Sequence, residues 1–477
     1  MVGEASGRMQ KADCRDEIAL PAAMLAWLKC GKQRTRNSRK RFLVFFCSLF
    51  VKARVVYRLH MEPSDIEQFE VIPCGSVIQC NITLQHRPTP CPSCGKISRR
   101  VHDYYRRTLK HAVLVENDLI VVYRKRRYYC TACQKPFPEN NPFSLPGKRI
   151  SQATVIRIMK LLKRESITFS TAAELTDVST TTVMKVFDEH AGIATVPLPR
   201  CLCIDEVYVS KYLQTEYACV LLDFDTGAIY DLIPSRRKEE LSSYFSNINK
   251  GTRNYVKYIS IDMWENYRDL AHRYFPNALV CVDSFHVVKN VNYAFDRVRI
   301  RIMNSYDRAS EEYRLLKRFH WLLKKSRDNI DFERMINLHR YYYIVGSKYI
   351  SPEALINRLL EIDPELEIAY TLKCDYDEIN SIATYHNAGR YIDKYIEDLH
   401  VYGLPEFIPI SKMLKNWKHE IVNSFLTYRG RRISNGPIES MNSRIKLIKR
   451  NANGYKNFYR FRLRCLYTLN KHSSIKF

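Results

Sequence analysis

Three aspartates of this 477-residue chain directly follow short apolar segments. They are Asp205, Asp262 and Asp283, and each segment has the length and composition of a buried strand. Mg²⁺ prefers carboxylate oxygens, and two such ions about 3.5–4 Å apart can activate the attacking oxygen and stabilise the leaving oxygen in phosphoryl transfer. A further carboxylate, Glu439, follows the turn residues 435–437, whose proline predicts the first turn of a helix. The acids therefore indicate metal-dependent phosphoryl transfer.

Residues 198–288 alternate between strand and helix patterns and would carry the aspartates. The predicted order is three antiparallel strands, a helix, a strand, a helix and a strand, which is the order of the ribonuclease H-like fold. In that order the first and fourth strands are neighbours at the centre of the sheet. We therefore expect Asp205 and Asp262 side by side. A single acid at a strand end is more simply a surface charge, but three acids at positions consistent with one fold favour a site.

Four cysteines form two Cys-x-x-Cys pairs, Cys91 with Cys94 and Cys130 with Cys133. Two such turns complete a tetrahedral four-sulfur zinc site that is closed to water and therefore structural. A pair of strands would fill the interval between the turns. The alternative is two unrelated thiol pairs in a cytosolic protein. The odd count of 15 cysteines in a chain of this length favours cytosolic thiols and a metal site over disulfides.

The formal net charge is +26, from 76 basic and 50 acidic residues, and this excess predicts a polyanionic partner. Next to the second cysteine pair stand four consecutive basic residues with tyrosines around them, which we interpret as a nucleic-acid contact. They are Arg124, Lys125, Arg126 and Arg127. The alternative is a solvated strand face. The longest apolar run, residues 42–51, is too short to span a membrane.

Residues 171–187 have the pattern of a helix-turn-helix. Ser179 would cap the second helix, and Val183, Val186 and Phe187 would pack inward. Four residues of the second helix would face a DNA groove: Thr180, Thr181, Thr182 and Lys185. The alternative is an ordinary helical hairpin, because pairs of short helices are common.

Jointly these motifs resemble bacterial insertion-sequence transposases with a DDE site, specifically the ISL-three (ISL3) family. The resemblance runs from about Cys91 to the C-terminus and rests on the cysteine pairs and on seven further segments. These are residues 204–206, 261–263, 275–278, 283–289, 435–439, 448–450 and 454–458. It implies a zinc-binding module, a helix-turn-helix and a ribonuclease H-like domain interrupted by a helical insertion, with Asp205, Asp262 and Glu439 as the catalytic acids that bind Mg²⁺ or Mn²⁺.

The second catalytic aspartate has a rival. Related transposases carry a Cys/Asp-x-x-His motif after that aspartate, and residues 283–286 match it. Strand order and this motif both favour Asp262, which would leave Asp283 and His286 as supporting residues. On the helix of Glu439, three cations could bind phosphates: Lys446, Lys449 and Arg450.

The fold class that we predict is a multidomain α/β protein. The predicted ranges are an N-terminal extension of doubtful role (1–66), a zinc-binding module (67–140), a helix-turn-helix domain (148–192), a first catalytic part (198–298), a helical insertion (299–428) and the final catalytic helices (429–477). The extension departs from the family pattern, and Met61 is a possible alternative start.

The resemblance implies a DNA transposase that binds the terminal inverted repeats of an insertion sequence and catalyses strand cleavage and strand transfer into target DNA. We expect a homo-oligomer on double-stranded DNA, without membrane association, in the bacterial cytoplasm at the nucleoid. Two alternatives stay open at this point. One is a nuclease that cuts without joining, and the other is a catalytically inactive DNA-binding regulator.

Overall fold

The computed structural model describes residues 62–74, 77–114, 117–144, 148–193, 196–210 and 216–477. The apolar run 42–51, the possible start at Met61 and most of the predicted extension lie outside these residues. The chain forms two units, residues 1–155 and 156–477. Within the described part of the chain, no helix is long and apolar enough to cross a membrane.

The described part of the first unit contains a five-stranded sheet and a two-stranded sheet, β3-β4, and its first strand follows a short 3₁₀ turn at Pro63–Asp65. Its strands are β1 (Ile66–Cys74), β2 (Val77–Leu84), β3 (Thr89–Pro90), β4 (Ile97–Ser98), β5 (Val101–Leu114), β6 (Asn117–Cys130) and β7 (Lys135–Pro138). The main sheet has the order β1-β2-β6-β5, with β7 added to β6. Strands were predicted here, but as short ones; β5 and β6 each have 14 residues and pair along most of their length.

Helix α1 (Gln152–Leu161) contains the division between the units, and α2 (Phe169–Glu174) and α3 (Thr180–His190) follow it. The Ser179 hydroxyl accepts a hydrogen bond from the backbone N–H of Thr182, as the predicted N-cap requires. Val183, Val186 and Phe187 are buried, which is the inward face that the sequence predicted. A two-residue strand, β8 (Ala191–Gly192), ends this segment.

A five-stranded mixed sheet forms the centre of the second unit. Its elements are β9 (Cys201–Tyr208), β10 (Tyr217–Asp223), β11 (Ile229–Ile233), α4 (Lys238–Ser246), α5 (Lys250–Asn254), β12 (Tyr258–Ile261), α6 (Glu265–Tyr274) and β13 (Leu279–Val282). The order is β11-β10-β9-β12-β13, in which β9 is antiparallel to β10 and parallel to β12. Strand β9, the first of the sheet in sequence, therefore lies at its centre beside β12, the fourth.

A long helical segment separates the sheet from the C-terminal helices. It contains α7 (Ser284–Ser305), α8 (Glu311–Arg318), α9 (His320–Lys324), β14 (Ile336–Asn337), α10 (Tyr342–Val345), β15 (Tyr349–Ile350), α11 (Pro352–Leu360), α12 (Pro364–Ile382), α13 (Ala388–Tyr402), α14 (Ile408–Asn416) and α15 (Lys418–Asn423), with single 3₁₀ turns at Arg327–Asn329, His339–Tyr341 and Pro405–Phe407. Its apolar side chains share one core with one face of the sheet, because both sets must leave water.

The C-terminal elements cover the other face of the sheet. They are β16 (Thr427–Tyr428), β17 (Arg431–Arg432), α16 (Gly436–Asn451), α17 (Phe458–Leu469) and β18 (Ser474–Ile475). Buried residues of α16 and α17 form a second core with β9 and β10. The helix-turn-helix is joined to these elements, since β18 pairs with β8 and the Lys163 ammonium donates to the carbonyls of Tyr467 (2.7 Å) and Asn470 (2.6 Å).

Candidate active site and zinc centre

The parallel strands of the central sheet gather the three aspartates at one edge. In the register, Ile204 lies opposite Ile261, and Ile261 lies opposite Val282. Asp205, Asp262 and Asp283 each follow one of these residues and so lie on three adjacent strands. Asp205 and Asp262 are side by side, as the strand order predicted. Asp205 does not end its strand, because β9 continues to Tyr208 along the antiparallel partner β10.

Asp205 is almost entirely buried, at 8% exposure. One carboxylate oxygen accepts from the backbone N–H of Glu206 and the other from Asn442 Nδ2, each at 2.7 Å. Burial, and next the neighbouring charge of Asp262, raise the pKa of Asp205 to about 7. A buried carboxylate whose pKa is raised by a neighbouring carboxylate fits a site that binds a cation, because a cation offsets the repulsion between the two charges.

Asp262 is held by two donors on its Oδ1 atom. Asn435 Nδ2 donates at 2.7 Å, and His286 Nε2 lies at 3.1 Å. The hydrogen bond to Asp262 raises the pKa of His286, since it favours the protonated imidazole. Asn435 is fully buried, and its own Oδ1 accepts from Ser260 Oγ at 2.7 Å. The asparagine thereby ties the start of α16 to the end of β12.

Asp283 and Glu439 complete the acidic cluster. Asp283 caps α7 by accepting from the backbone N–H of Phe285, and burial raises the pKa of its carboxyl. Glu439 lies in the first turn of α16, as predicted, and is exposed. The ligand atoms of Asp283, His286 and Glu439 all lie within 4.8 Å of one another. Within the part of the chain that the structure describes, Asp205, Asp262 and Glu439 do not form such a close group.

The atoms of this acidic cluster that could bind a metal fit a hard divalent cation. Carboxylate oxygens dominate the cluster, and they are the ligands that Mg²⁺ and Mn²⁺ prefer. A buried amide oxygen, Asn442 Oδ1, has no hydrogen-bond partner among the described residues and lies on the residue that contacts Asp205. An unpaired buried oxygen beside unneutralised carboxylates is consistent with a cation site.

Sequence reasoning missed the roles of Asn435 and Asn442. Asn435 was interpreted only as part of a turn, and Asn442 received no role. The spacing could have pointed to Asn442, because residues three apart on a helix share a face and Asn442 is three residues after Glu439. The contact of Asn435 with Asp262 joins residues far apart in sequence and could be found only in the folded chain.

The first unit brings the four predicted zinc ligands together. Cys91 Sγ is 4.0 Å from Cys133 Sγ, and Cys94 Sγ is 3.6 Å from Cys130 Sγ. All four sulfurs lie within 4.8 Å of one another. Four thiolates at a Zn–S distance of about 2.3 Å in a tetrahedron are about 3.8 Å apart, so these separations fit zinc.

Local backbone geometry explains how each cysteine pair turns. The residues after the second cysteines, Gly95 and Gln134, have left-handed backbones with φ of 73° and 52°. The backbone N–H of Ser93 gives the largest contribution to lowering the pKa of the Cys91 thiol, to about 7, which favours the thiolate that binds metal. Strands β5 and β6 form the single hairpin that fills the interval between the pairs, as the sequence predicted.

The four consecutive basic residues of β6 do not share one environment. Arg124 is exposed over the ring of Tyr104, and Arg127 pairs with Asp103. Lys125 and Arg126 are buried, at 6% and 1% exposure. This corrects the predicted DNA contact for Lys125 and Arg126, because a buried cation does not reach a phosphate in this conformation. Arg126 instead forms ion pairs with Glu67 and Glu139 inside the unit.

The other predicted DNA contacts lie in the second unit. On α3, Thr181 and Lys185 are exposed, and Thr180 and Thr182 are partly exposed. On α16, Lys446 and Arg450 are exposed. Lys449 donates to the carbonyl of Tyr208 at 2.8 Å and lies over its ring, so it has a partner in the protein.

Comparison with known families gives three matches along this chain. A family model described as a transposase, the DDE transposase of ISL3, matches residues 202–465. One described as the zinc-finger of transposase IS204/IS1001/IS1096/IS1165 matches residues 87–133. One described as the helix-turn-helix domain of transposase family ISL3 matches residues 139–191.

Two relatives are transposases by name. The transposase for insertion sequence element IS1001 of Bordetella parapertussis is 24% identical over 376 residues, which cover 77% of this chain and 85% of that protein. The transposase for insertion sequence element IS1557 of Mycobacterium tuberculosis is 24% identical over 268 residues, which cover 54% of this chain and 57% of that protein.

The matches define a nucleic-acid-modifying enzyme that carries a zinc ribbon and a DNA-binding helix-turn-helix. The catalytic match alone spans more than half of the chain. The chain belongs to the ISL3 family of DDE transposases.

Proposed function

We propose that this transposase binds the terminal inverted repeats of an insertion sequence, cleaves DNA at the element ends and joins those ends to target DNA. The observation that carries the proposal is that Asp205 and Asp262 lie at equivalent positions of the neighbouring strands β9 and β12, with Glu439 in the first turn of α16, whose preceding residue Asn435 binds Asp262. The strand order β11-β10-β9-β12-β13 supports a ribonuclease H-like catalytic domain. The helical segment between β13 and α16 would be its insertion.

In this proposal Asp205, Asp262 and Glu439 hold two Mg²⁺ or Mn²⁺ ions. When bound, such ions lower the pKa of the attacking hydroxyl and stabilise charge on the leaving oxygen. Asn442 and Asn435 hold the carboxylates of Asp205 and Asp262 in fixed orientations. A precise arrangement matters because phosphoryl transfer depends mainly on positioning and electrostatic stabilisation.

Cleavage and joining are two steps, and in each step one P–O bond forms while another P–O bond breaks. A water oxygen first bonds to the phosphorus at the element end, and the P–O3′ bond breaks, which leaves a 3′-OH on the element and a 5′-phosphate on the flank. The 3′-OH then bonds to a target phosphorus and displaces the target's 3′ oxygen. Neither step needs a covalent link to the protein. In this proposal the exposed cations Lys446 and Arg450 bind DNA phosphates.

A rival assignment replaces Asp262 by Asp283. The close approach of Asp283, His286 and Glu439 favours it. Against it, one carboxylate oxygen of Asp283 already caps α7 and the residue is 3% exposed. We therefore keep Asp262 as the second catalytic acid and Asp283 with His286 as its supports.

The test is a strand-transfer assay with DNA that carries the element end, supercoiled target DNA and Mg²⁺. We expect cleavage and joined product from the wild type and neither from Asp205→Asn, Asp262→Asn or Glu439→Gln. Asp269→Asn is the matched control, because Asp269 is an exposed acid that pairs with Lys238 outside the cluster. If Asp262→Asn retains activity and Asp283→Asn loses it, the second catalytic acid is Asp283 and not Asp262.

The same assay separates the other candidate functions. Cleaved ends without joined product would indicate a nuclease, and DNA binding without cleavage would indicate an inactive regulator. Joining two ends requires two active sites, so the proposal includes a homo-oligomer assembled on DNA, with the protein resident at the bacterial nucleoid. Sedimentation with and without end DNA measures that assembly.

A further inference from the structure

The helical insertion contains a cavity of about 670 Å³ that the proposed chemistry does not use. We call it the insertion groove. Its lining consists of four cations and three tyrosines, with no acidic residue among the lining side chains. The cations are Arg308, Arg314, Lys317 and Arg318.

Helix α8 produces this concentration of charge through its spacing. Arg314, Lys317 and Arg318 are three and four residues apart and share one face of the helix. Leu315 and Leu316 are fully buried on the opposite side. The helix is thus anchored by its apolar face and presents its cationic face to the groove.

The cations of the groove lack the acidic partners that several other cations of the insertion have. None of the four forms an ion pair with a carboxylate of the described residues, whereas Arg301, Lys373, Lys418 and Arg358 each do. Arg308, Lys317 and Arg318 are also exposed. Four neighbouring positive charges without a compensating acid repel one another and gain from a polyanion.

The tyrosines of the groove orient the cations and add hydrogen-bonding groups. The hydroxyl of Tyr343 accepts from an Arg314 guanidinium nitrogen at 3.0 Å, and Tyr343 itself is 54% exposed. The Lys317 ammonium lies 5.4 Å from the centroid of the Tyr313 ring. Arginine, lysine and tyrosine side chains are among the groups that contact phosphate and sugar in DNA complexes.

We propose that the insertion groove binds the sugar-phosphate backbone of duplex DNA, as a contact additional to those of the zinc ribbon and the helix-turn-helix. The contact reads no bases, because the groove offers charge and hydroxyl groups that match phosphates of any sequence. It rests on the proposed function only in taking DNA as the substrate. Its role is to hold the duplex during strand cleavage and strand transfer.

The test is the salt dependence of DNA binding by the full-length protein, measured by fluorescence anisotropy without Mg²⁺ so that no cleavage occurs. The double variant Arg308→Ala/Arg318→Ala removes two exposed cations of the groove. The matched control, Arg358→Ala/Lys418→Ala, removes two cations of the same insertion that already have acidic partners. Each protein is titrated with an inverted-repeat duplex and with a scrambled duplex.

We expect the groove variant to bind both duplexes more weakly, by about 10-fold for each lost phosphate contact near 0.1 M salt. The slope of log affinity against log salt should fall by about 0.9 per contact, and the control should match the wild type. Unchanged slope and affinity in the groove variant would overturn the proposal. So would a change in self-association, measured by sedimentation, that leaves DNA affinity intact.

The thermal unfolding midpoint should be unchanged in both variants, because the substituted side chains are on the surface. To check that the groove rather than a folding defect is measured, Lys317→Ala is titrated as a second variant. Failure of the inference is distinguishable from failure of the proposed function. If the wild type cleaves and joins DNA but the groove variants keep the wild-type salt slope, only this inference fails. If the groove variants have a lower salt slope but the wild type does not cleave DNA, only the proposed function fails.

Discussion

Asn435 Nδ2 donates a 2.7 Å hydrogen bond to Asp262 Oδ1 across 173 residues of sequence. The asparagine is fully buried, and its other amide atom accepts from Ser260 Oγ. Its backbone carbonyl accepts from the N–H of Glu439 at 2.9 Å. The side chain of Asn435 therefore holds Asp262 at the edge of the sheet, and the backbone of Asn435 begins helix α16, which carries Glu439.

Replacing Asn435 by alanine should lower the rates of strand cleavage and strand transfer by about 10- to 100-fold, the usual cost of losing a partner of a metal-binding side chain. The reason is that Asp262 loses a donor that orients it. The measurement is the cleavage rate over a series of Mg²⁺ concentrations, and the variant should need more Mg²⁺ for half-maximal rate.

Ser434→Ala is the control for this prediction, because it changes the adjacent side chain and keeps both amide contacts of Asn435. A variant Asn435→Ala that retains the wild-type rate and Mg²⁺ requirement would contradict the positioning role. Thermal unfolding of both variants separates an effect on the site from a general loss of stability.

Replacing Asn442 by leucine should also lower activity, because the Nδ2 donor to Asp205 is lost and the buried carboxylate keeps only one hydrogen bond. The neighbouring variant Ser443→Ala removes only a bond to the carbonyl of Glu439 within the same helix and should behave as the wild type. Isothermal titration with Mn²⁺ should show weaker binding for Asn442→Leu alone. Equal Mn²⁺ affinity in the two variants would exclude this role for Asn442.

Cys130→Ser should remove the zinc of the first unit, because the remaining three thiolates leave the four-sulfur site incomplete. Cys74→Ser is the matched control, since Cys74 is an exposed cysteine of the same unit outside the cluster. We expect atomic absorption to give one zinc per chain in the wild type and in the control, and less in Cys130→Ser. Digestion by trypsin should cut Cys130→Ser faster between residues 87 and 138, and equal zinc content in all three proteins would refute the site.

Arg126→Met and Arg124→Met should differ sharply in stability although the residues are two apart. Arg126 is buried with Glu139, and removing one partner of a buried ion pair costs about 3 kcal/mol of unfolding free energy. Arg124 is exposed, and its substitution should change the unfolding free energy by less than about 0.5 kcal/mol. Urea unfolding measures both values, and similar losses of stability would show that the burial of Arg126 is misjudged.

Lys185→Ala on α3 should weaken binding to the inverted repeat, since Lys185 is an exposed cation on the second helix of the helix-turn-helix. If it contacts phosphate, the salt slope should fall by about 1 for every duplex, and if it contacts a base, only the inverted-repeat affinity should fall. Lys394→Ala, an exposed lysine of α13, is the control. Anisotropy that is identical for wild type and Lys185→Ala on both duplexes would rule out the contact.

The local sequence was sufficient to predict several features. The cap at Ser179 and the helix start before Glu439 each depend on neighbouring residues and were predicted at their observed positions. The strand β9 was predicted to end at Asp205 and continues to Tyr208 instead, because pairing with β10 extends it. Strand length depends on a partner strand, which the local sequence does not contain.

By itself the sequence determined which residues could do chemistry: the four cysteines, the acids and the cations are identifiable from type and spacing. Only the tertiary structure decided which of them face each other. Burial reversed the interpretation of Lys125 and Arg126, and two asparagines became supports of the acids. The physical reason is that hydrogen bonds and ion pairs depend on distances of a few ångströms, here between residues up to hundreds of positions apart in sequence, and only folding sets those distances.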